Sequence, residues 1–240
     1  MIPESDSRLV LSRLLQLARA DLARELTEDA DPDQLIVRVA RLAARLIPGS
    51  EGCVIGLATD DDPMVVLTET DPQGTVILGA ESATGEGPEA DVMGEHASLR
   101  IDDTRNDSRW PRFCALLAEL GVLSLGICDL PVTRRSRGVL VVYSSSAGAF
   151  DEVAELMLPV FASRASIALG YRDSLRTLGK AIGSRQLIGQ AVGILMERHR
   201  LTEQAAFQRL VRASQNSQLK LHTVAERVVN TGQEPADAVD

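Results

Sequence analysis

The 240-residue sequence predicts an α+β fold: an antiparallel sheet flanked by helices, then a long coiled-coil-like helix, then a C-terminal three-helix bundle. Three observations predict it. Short β-branched runs, separated by Asp, Pro and Gly, fill the middle of the chain. No proline interrupts the stretch between Pro159 and Pro235. Charge divides the chain: residues 1–171 hold 15 basic and 27 acidic side chains, whereas residues 172–232 hold 10 basic and four acidic ones, a net +6.

The elements follow in order. Residues 8–28 place Leu11, Leu14, Leu15, Ala18 and Leu22 at helical spacing, and Asp31-Pro32 breaks the run. A second helix over 33–47 shows Leu35, Val39, Leu42, Ala43 and Leu46 on one face, and Pro48-Gly49 ends it. The runs 53–58 (CVIGLA), 64–70 (MVVLTET) and 75–80 (TVILGA) read as strands. Residues 81–97 read as a loop with a short helix. A strand at 98–101, a helix at 111–120 and strands at 123–132 and 137–145 complete the sheet domain. From Asp151 the pattern turns helical. Two seven-residue seams run along it, Phe161, Ala168, Leu175 and Ile182 in one and Met157, Arg164, Tyr171 and Leu178 in the other, which predicts a helix that pairs with a second copy. The last module shows three apolar stripes of equal width: Ile188, Ala191, Val192 and Leu195; Phe207, Leu210, Val211 and Ser214; Leu221, Val224, Ala225 and Val228. Thr202 is suited to start the second of these helices and Gly232 to close the third.

Composition narrows the function classes. A chain that is 45% hydrophobic and 25% charged has the make-up of an ordinary globular protein. Its longest unbroken apolar runs fall short of the roughly 20 residues that cross a bilayer, and its N-terminus lacks a basic and apolar leader, so a cytoplasmic location without membrane contact is expected. Cys53, Cys114 and Cys128 are widely spaced and odd in number, which reads as buried, reduced thiols. Enzyme chemistry finds no support. GEGP (85–88) lacks the Gly-Lys-Ser/Thr ending of a phosphate loop, and three histidines, His96, His199 and His222, permit no argued triad. Asp102, Asp103 and Asp107 read as a capped polar loop, not a metal site, and no cofactor is expected.

Two resemblances follow from these residues. The stretch 188–229 resembles an ANTAR domain, through Ala191, Gly193, Ile194, Leu195 and Met196, then Ala206 and Phe207, then Leu210, Leu221, Val224 and Ala225. Val192 stands where many members have Lys, and Gln218 about where Asn is usual. The middle of the chain resembles a GAF domain of the actinobacterial type, through GEGP (85–88), residues 101–113, Gly121, LPV (130–132) and GVLVV (138–142). The resemblance implies a transcription antitermination regulator: a GAF sensor for a small-molecule ligand or an upstream signalling protein, controlling an ANTAR module. That module would bind RNA hairpins as a dimer and prevent a terminator from forming.

The domain expectation is an N-terminal helix (1–30), a GAF-like sensor (31–170), an RNA-binding module (171–232) and an acidic tail (233–240). Arg185, Arg198, Arg209, Arg212, Lys220 and Arg227 are the expected RNA-facing set, since arginine pairs with phosphate and stacks on unpaired bases. Ala191, Gly193, Met196, Ala206, Phe207, Leu210, Leu221, Val224 and Ala225 are expected in the module's core, Gly193 by allowing close helix approach. Met157, Phe161, Ala168, Tyr171, Leu175, Leu178 and Ile182 are the expected homodimer helix. The alternative reading is a ligand- or redox-sensing module acting through protein partners.

Overall fold

The computed structural model describes residues 31–59, 63–89, 91–92, 98–133 and 136–233. The helix expected over 8–28, His96 and nearly all of the acidic tail lie outside the described residues. The chain divides into two units, Met1–Arg172 and Asp173–Asp240.

The first unit opens with α1 (Pro32–Leu46). The Asp31 carboxylate accepts a hydrogen bond from the Asp33 amide, and Pro32 sits in the first turn, where its missing N–H costs nothing. Residues Ile36, Val39, Ala40, Leu42 and Ala43 bury its apolar face. At the turn that follows, Gly49 has φ +81, and a Cβ there would meet the Ala149 carbonyl oxygen at 2.0 Å.

Five strands form one antiparallel sheet of order β2-β1-β5-β4-β3: β1 (Gly52–Thr59), β2 (Val65–Glu69), β3 (Ser98–Ile101), β4 (Ser124–Pro131) and β5 (Ser136–Ser144). Strand periodicity sends alternate side chains to opposite faces. Cys53 and Ile55 of β1, Cys128 and Leu130 of β4, and Leu140 and Val142 of β5 join the core that contains α1. Val54, Leu125, Ile127, Val139, Val141 and Tyr143 join a second core on the other face. Both faces are covered, which is why the central strands read as unbroken apolar runs.

The second face is covered by α2 (Gln73–Thr84) and α3 (Pro111–Glu119). The strand expected at 75–80 is therefore a correction: this run lies inside α2. The acids just before it explain the change. Asp71 accepts from the Gln73 amide at 2.9 Å, and Glu69 accepts from both the amide and hydroxyl of Thr75 at 2.6 and 2.8 Å. These bonds satisfy the orphan donors of a first helical turn. Asp71 also accepts from the Tyr143 hydroxyl at 2.7 Å, which ties the helix start to β5.

The long helix α4 (Glu152–His199, 48 residues) begins at Asp151, whose carboxylate accepts from the Ala154 amide. Pro159 removes one helical N–H and costs about 3 kcal/mol in a helix interior. The helix persists because Met157, Leu158, Phe161, Ala162, Ala165, Ala168 and Leu169 are buried against the first core. This corrects part of the expected dimer helix: Met157, Phe161 and Ala168 are interior residues of their own domain and face no partner. Part of α4 is long and apolar enough on composition alone to cross a bilayer. Of that stretch, 44% is buried inside the protein.

The second unit joins the end of α4 to α5 (Glu203–Ser217) and α6 (Leu221–Thr231). Its core is Ala191, Val192 and Leu195 from α4, Ala206, Leu210 and Ala213 from α5, and Val224, Ala225 and Val228 from α6. Alanine at four of these positions lets the helices approach closely. The Thr202 hydroxyl accepts from the Ala205 amide at the start of α5, and Gly232, at φ +67, closes α6.

Candidate nucleic-acid interface

Most basic residues of the second unit sit on its three helices, with Arg200 and Lys220 in the turns between them. Arg185, Arg212, Lys220 and Arg227 are exposed, and Arg209 is half-buried. Arg209 and Arg212 are three residues apart on α5, on the flank away from Phe207. Lys220 immediately precedes α6. Arg198, near the end of α4, plays a different part, because its guanidinium donates to the Gly232 carbonyl at the end of α6. A cation there complements the negative end of the α6 dipole. The expected set is thus divided, with Arg198 engaged in tying the bundle together.

Two expected core residues prove otherwise. Phe207 is 41% exposed, because α5 turns Ala206, Leu210 and Ala213 inward, one residue away from the stripe read in the sequence. Gly193 is exposed, and a Cβ built on it meets nothing within 4 Å, so it serves no close helix approach. Met196 and Leu221 are half-buried at the edge of the core.

The two corrected residues lie together. Gly193 and Phe207 line an open groove of about 780 Å³ between the last turns of α4 and the start of α5. Ile188, Val192 and Met196 supply the rest of its apolar lining, and Gly189 leaves more helix backbone bare. Its polar lining is Arg185 together with Thr202, Glu203 and Gln204.

Beyond Arg172 the helix α4 loses its cover. Residues 174–182 are exposed on every side, and they include Leu175, Leu178 and Ile182 at 43, 58 and 59% exposure. In the first unit Leu156, Ile167 and Tyr171 are likewise exposed. Leu156 and Ile167 were missed in the sequence because the seam was drawn through the buried residues.

In the described part of the first unit the polar side chains serve turns and caps. Arg105 pairs with Asp103 and Arg109 with Asp107 across two-residue turns, holding both carboxyls below their usual range, Asp103 at about 2. Asp102 pairs with Arg100. Among the described residues no group of three or more His, Cys, Asp or Glu is placed to hold a metal ion. Cys53, Cys114 and Cys128 are buried, free thiols. Burial raises all three, Cys114 and Cys128 to about 11. The GEGP loop has a structural role, as Glu86 accepts from the amides of Arg112 and Phe113 and so caps α3. Trp110 is buried beside that helix start with the Arg109 guanidinium 4.7 Å from its ring centre.

An α+β domain with a helix-covered antiparallel sheet, followed by a helical unit, defines a two-domain protein. The sequence profile of the GAF domain family matches residues 29–170, and that of the ANTAR domain matches 176–229. The chain belongs to the GAF domain family and carries a C-terminal ANTAR domain. It is 27% identical to the transcriptional regulatory protein PdtaR of Mycobacterium tuberculosis, over 77% of this chain and 80% of that protein. Solved structures share the fold. The GAF domain of a phosphoenolpyruvate-protein phosphotransferase from Coxiella burnetii matches with TM-score 0.53 at 14% identity, over 70% of this chain and 98% of its own. The phytochrome photosensory core module of Stigmatella aurantiaca matches with TM-score 0.57 at 14% identity, over 93% of this chain and 47% of its own.

Proposed function

We propose that this chain is a cytoplasmic, homodimeric regulator of transcription whose ANTAR domain binds RNA hairpins and acts by antitermination under control of the GAF domain. The observation that carries this reading is the exposed set Arg185, Arg212, Lys220 and Arg227 within the helical residues 172–232, net charge +6, in a chain that is otherwise acidic. A local cationic surface concentrates a polyanion that the acidic body repels. Hairpin loops present unpaired bases and closely spaced phosphates, and sequence-specific RNA readers target such loops. Similarity to a transcriptional regulator supports the same reading.

Dimerisation rests on α4. A helical stretch, 174–182, that is exposed all round yet carries Leu175, Leu178 and Ile182 needs a partner for those side chains. Joining two such units raises effective affinity for a paired hairpin target. The GAF domain is the signal input, and α4 is the element its state acts on. A non-enzymatic role fits the first unit's polar residues, which cap helices and turns. The redox form of the alternative reading is opposed by the three buried thiols, since the protonated thiol is the poor nucleophile.

The test is binding of the full chain to a pool of RNA hairpins by fluorescence anisotropy, with Arg212→Glu/Arg227→Glu as the variant. The native chain should bind with a steep salt dependence, and the double variant should lose at least tenfold in affinity while keeping its melting curve. Equal affinity of native and variant chains removes these side chains from the reading. No binding by the native chain in dilute buffer removes RNA.

A further inference from the structure

We infer that the groove between α4 and α5 is the pocket that receives an unpaired nucleobase of the RNA, with Phe207 as its stacking platform. This inference rests on the RNA-binding reading of the same unit.

Four observations carry it. Phe207 is the one Phe, Tyr or Trp after Tyr171 in the sequence, and it is 41% exposed within residues 172–232, a stretch of net charge +6. An exposed aromatic ring provides a stacking face for any base, and Arg185 in the same groove provides a cation for its phosphate. The facing wall is helix α4 with Gly189 and Gly193, and nothing lies within 4 Å of a Cβ built on either. Each exposed glycine in a helix interior costs up to a side chain's worth of helix propensity, and here the return is a flat, bare wall against which a planar ring fits. The groove volume, about 780 Å³, is within the range of small-molecule sites and holds a nucleotide with room to spare.

The polar lining fits a base better than a second protein helix. Arg185 supplies a cation for the phosphate attached to a seated base. Gln204 offers an amide with both donor and acceptor, and Glu203 an acceptor. A carboxylate accepts from an exocyclic amine and repels a carbonyl edge, so the pocket favours adenine, cytosine or guanine over uracil. A partner helix would leave these groups buried without matched partners.

The experiment uses the full chain and RNA hairpins that share one stem: one pool with randomised loops, one with all-uridine loops, and a blunt duplex of the same stem. Phe207→Ala should lower affinity for the randomised-loop pool about tenfold, the size of one lost base stack, while duplex binding stays unchanged. Phe207→Trp should keep the affinity, and its emission should be quenched by hairpin and not by duplex, against a constant signal from Trp110. Gly193→Leu removes no core contact, fills the groove from its other wall, and should weaken hairpin binding as well. The native chain should prefer randomised loops to uridine loops. The inference is overturned if Phe207→Ala and Gly193→Leu bind hairpins as tightly as the native chain. In that case a loss in Arg212→Glu/Arg227→Glu would leave the RNA reading standing alone. It is also overturned if Phe207→Ala lowers self-association in sedimentation in place of hairpin affinity, which would make the groove a seat for a second copy. Failure of the native chain to bind any hairpin removes both readings together.

Discussion

Gln218 shows what one backbone angle costs. It closes α5 at φ +55, a left-handed conformation that burdens an ordinary side chain by about 1 kcal/mol. Asparagine tolerates that region better, through its short polar side chain. Gln218→Asn should therefore raise the stability of the second unit by about 0.5 kcal/mol, and Gln218→Gly by as much or more, as read by thermal melting. Lower stability of both variants would refute the account. Glu89 offers a test through pH. Burial, with the nearby Glu81 charge, raises its carboxyl to about 8. An unfolded glutamate titrates near 4.3, so between those values the folded chain holds a proton that the unfolded chain has released. Unfolding free energy should then fall as pH rises from about 4.3 to about 8. Glu89→Gln should flatten that part of the Tm profile, and an unchanged profile would refute it.

At the scale of elements, α4 was legible as a helix and misread as a surface. A pattern of apolar residues fixes helical period, but it does not say which of two apolar stripes faces the chain's own sheet. Met157, Phe161 and Ala168 went inward, and Leu156, Ile167 and Tyr171 stayed outside. The same limit explains 75–80. A short apolar run of β-branched residues has no period of its own, and the deciding bonds come from Glu69 and Asp71 before it. The stripe on α4 makes its own prediction. Leu178→Glu/Ile182→Glu should convert a dimer to a monomer in sedimentation, since each side chain is more than half exposed and removes no interior contact. A native chain that sediments as a monomer would refute pairing through this helix.

For the molecule as a whole, the charge division was visible before any fold. Charge counts need no geometry, so the basic unit and the acidic body were readable from Arg172 onward. The antiparallel sheet, read with one strand too many at 75–80, and much of the three-helix core were legible for a related reason: period and turn residues act locally. The groove was not legible. It depends on a one-residue rotation of α5 that exposes Phe207 and on two glycines that face space, and neither follows from the stripe pattern alone. The scale also sets the salt test. If several phosphates are held by Arg185, Arg212, Lys220 and Arg227, affinity should fall by orders of magnitude between about 50 and 200 mM salt. A flat response would mean that apolar contact dominates.

The link from Arg198 to Gly232 has a practical corollary. The guanidinium reaches across the bundle to the final carbonyl of α6, so the first and last helices of the domain are latched to each other at their ends. Any fragment cut short of residue 232 loses the catch, and the last helix is then held by its apolar side alone. A minimal version of the domain must run through this glycine.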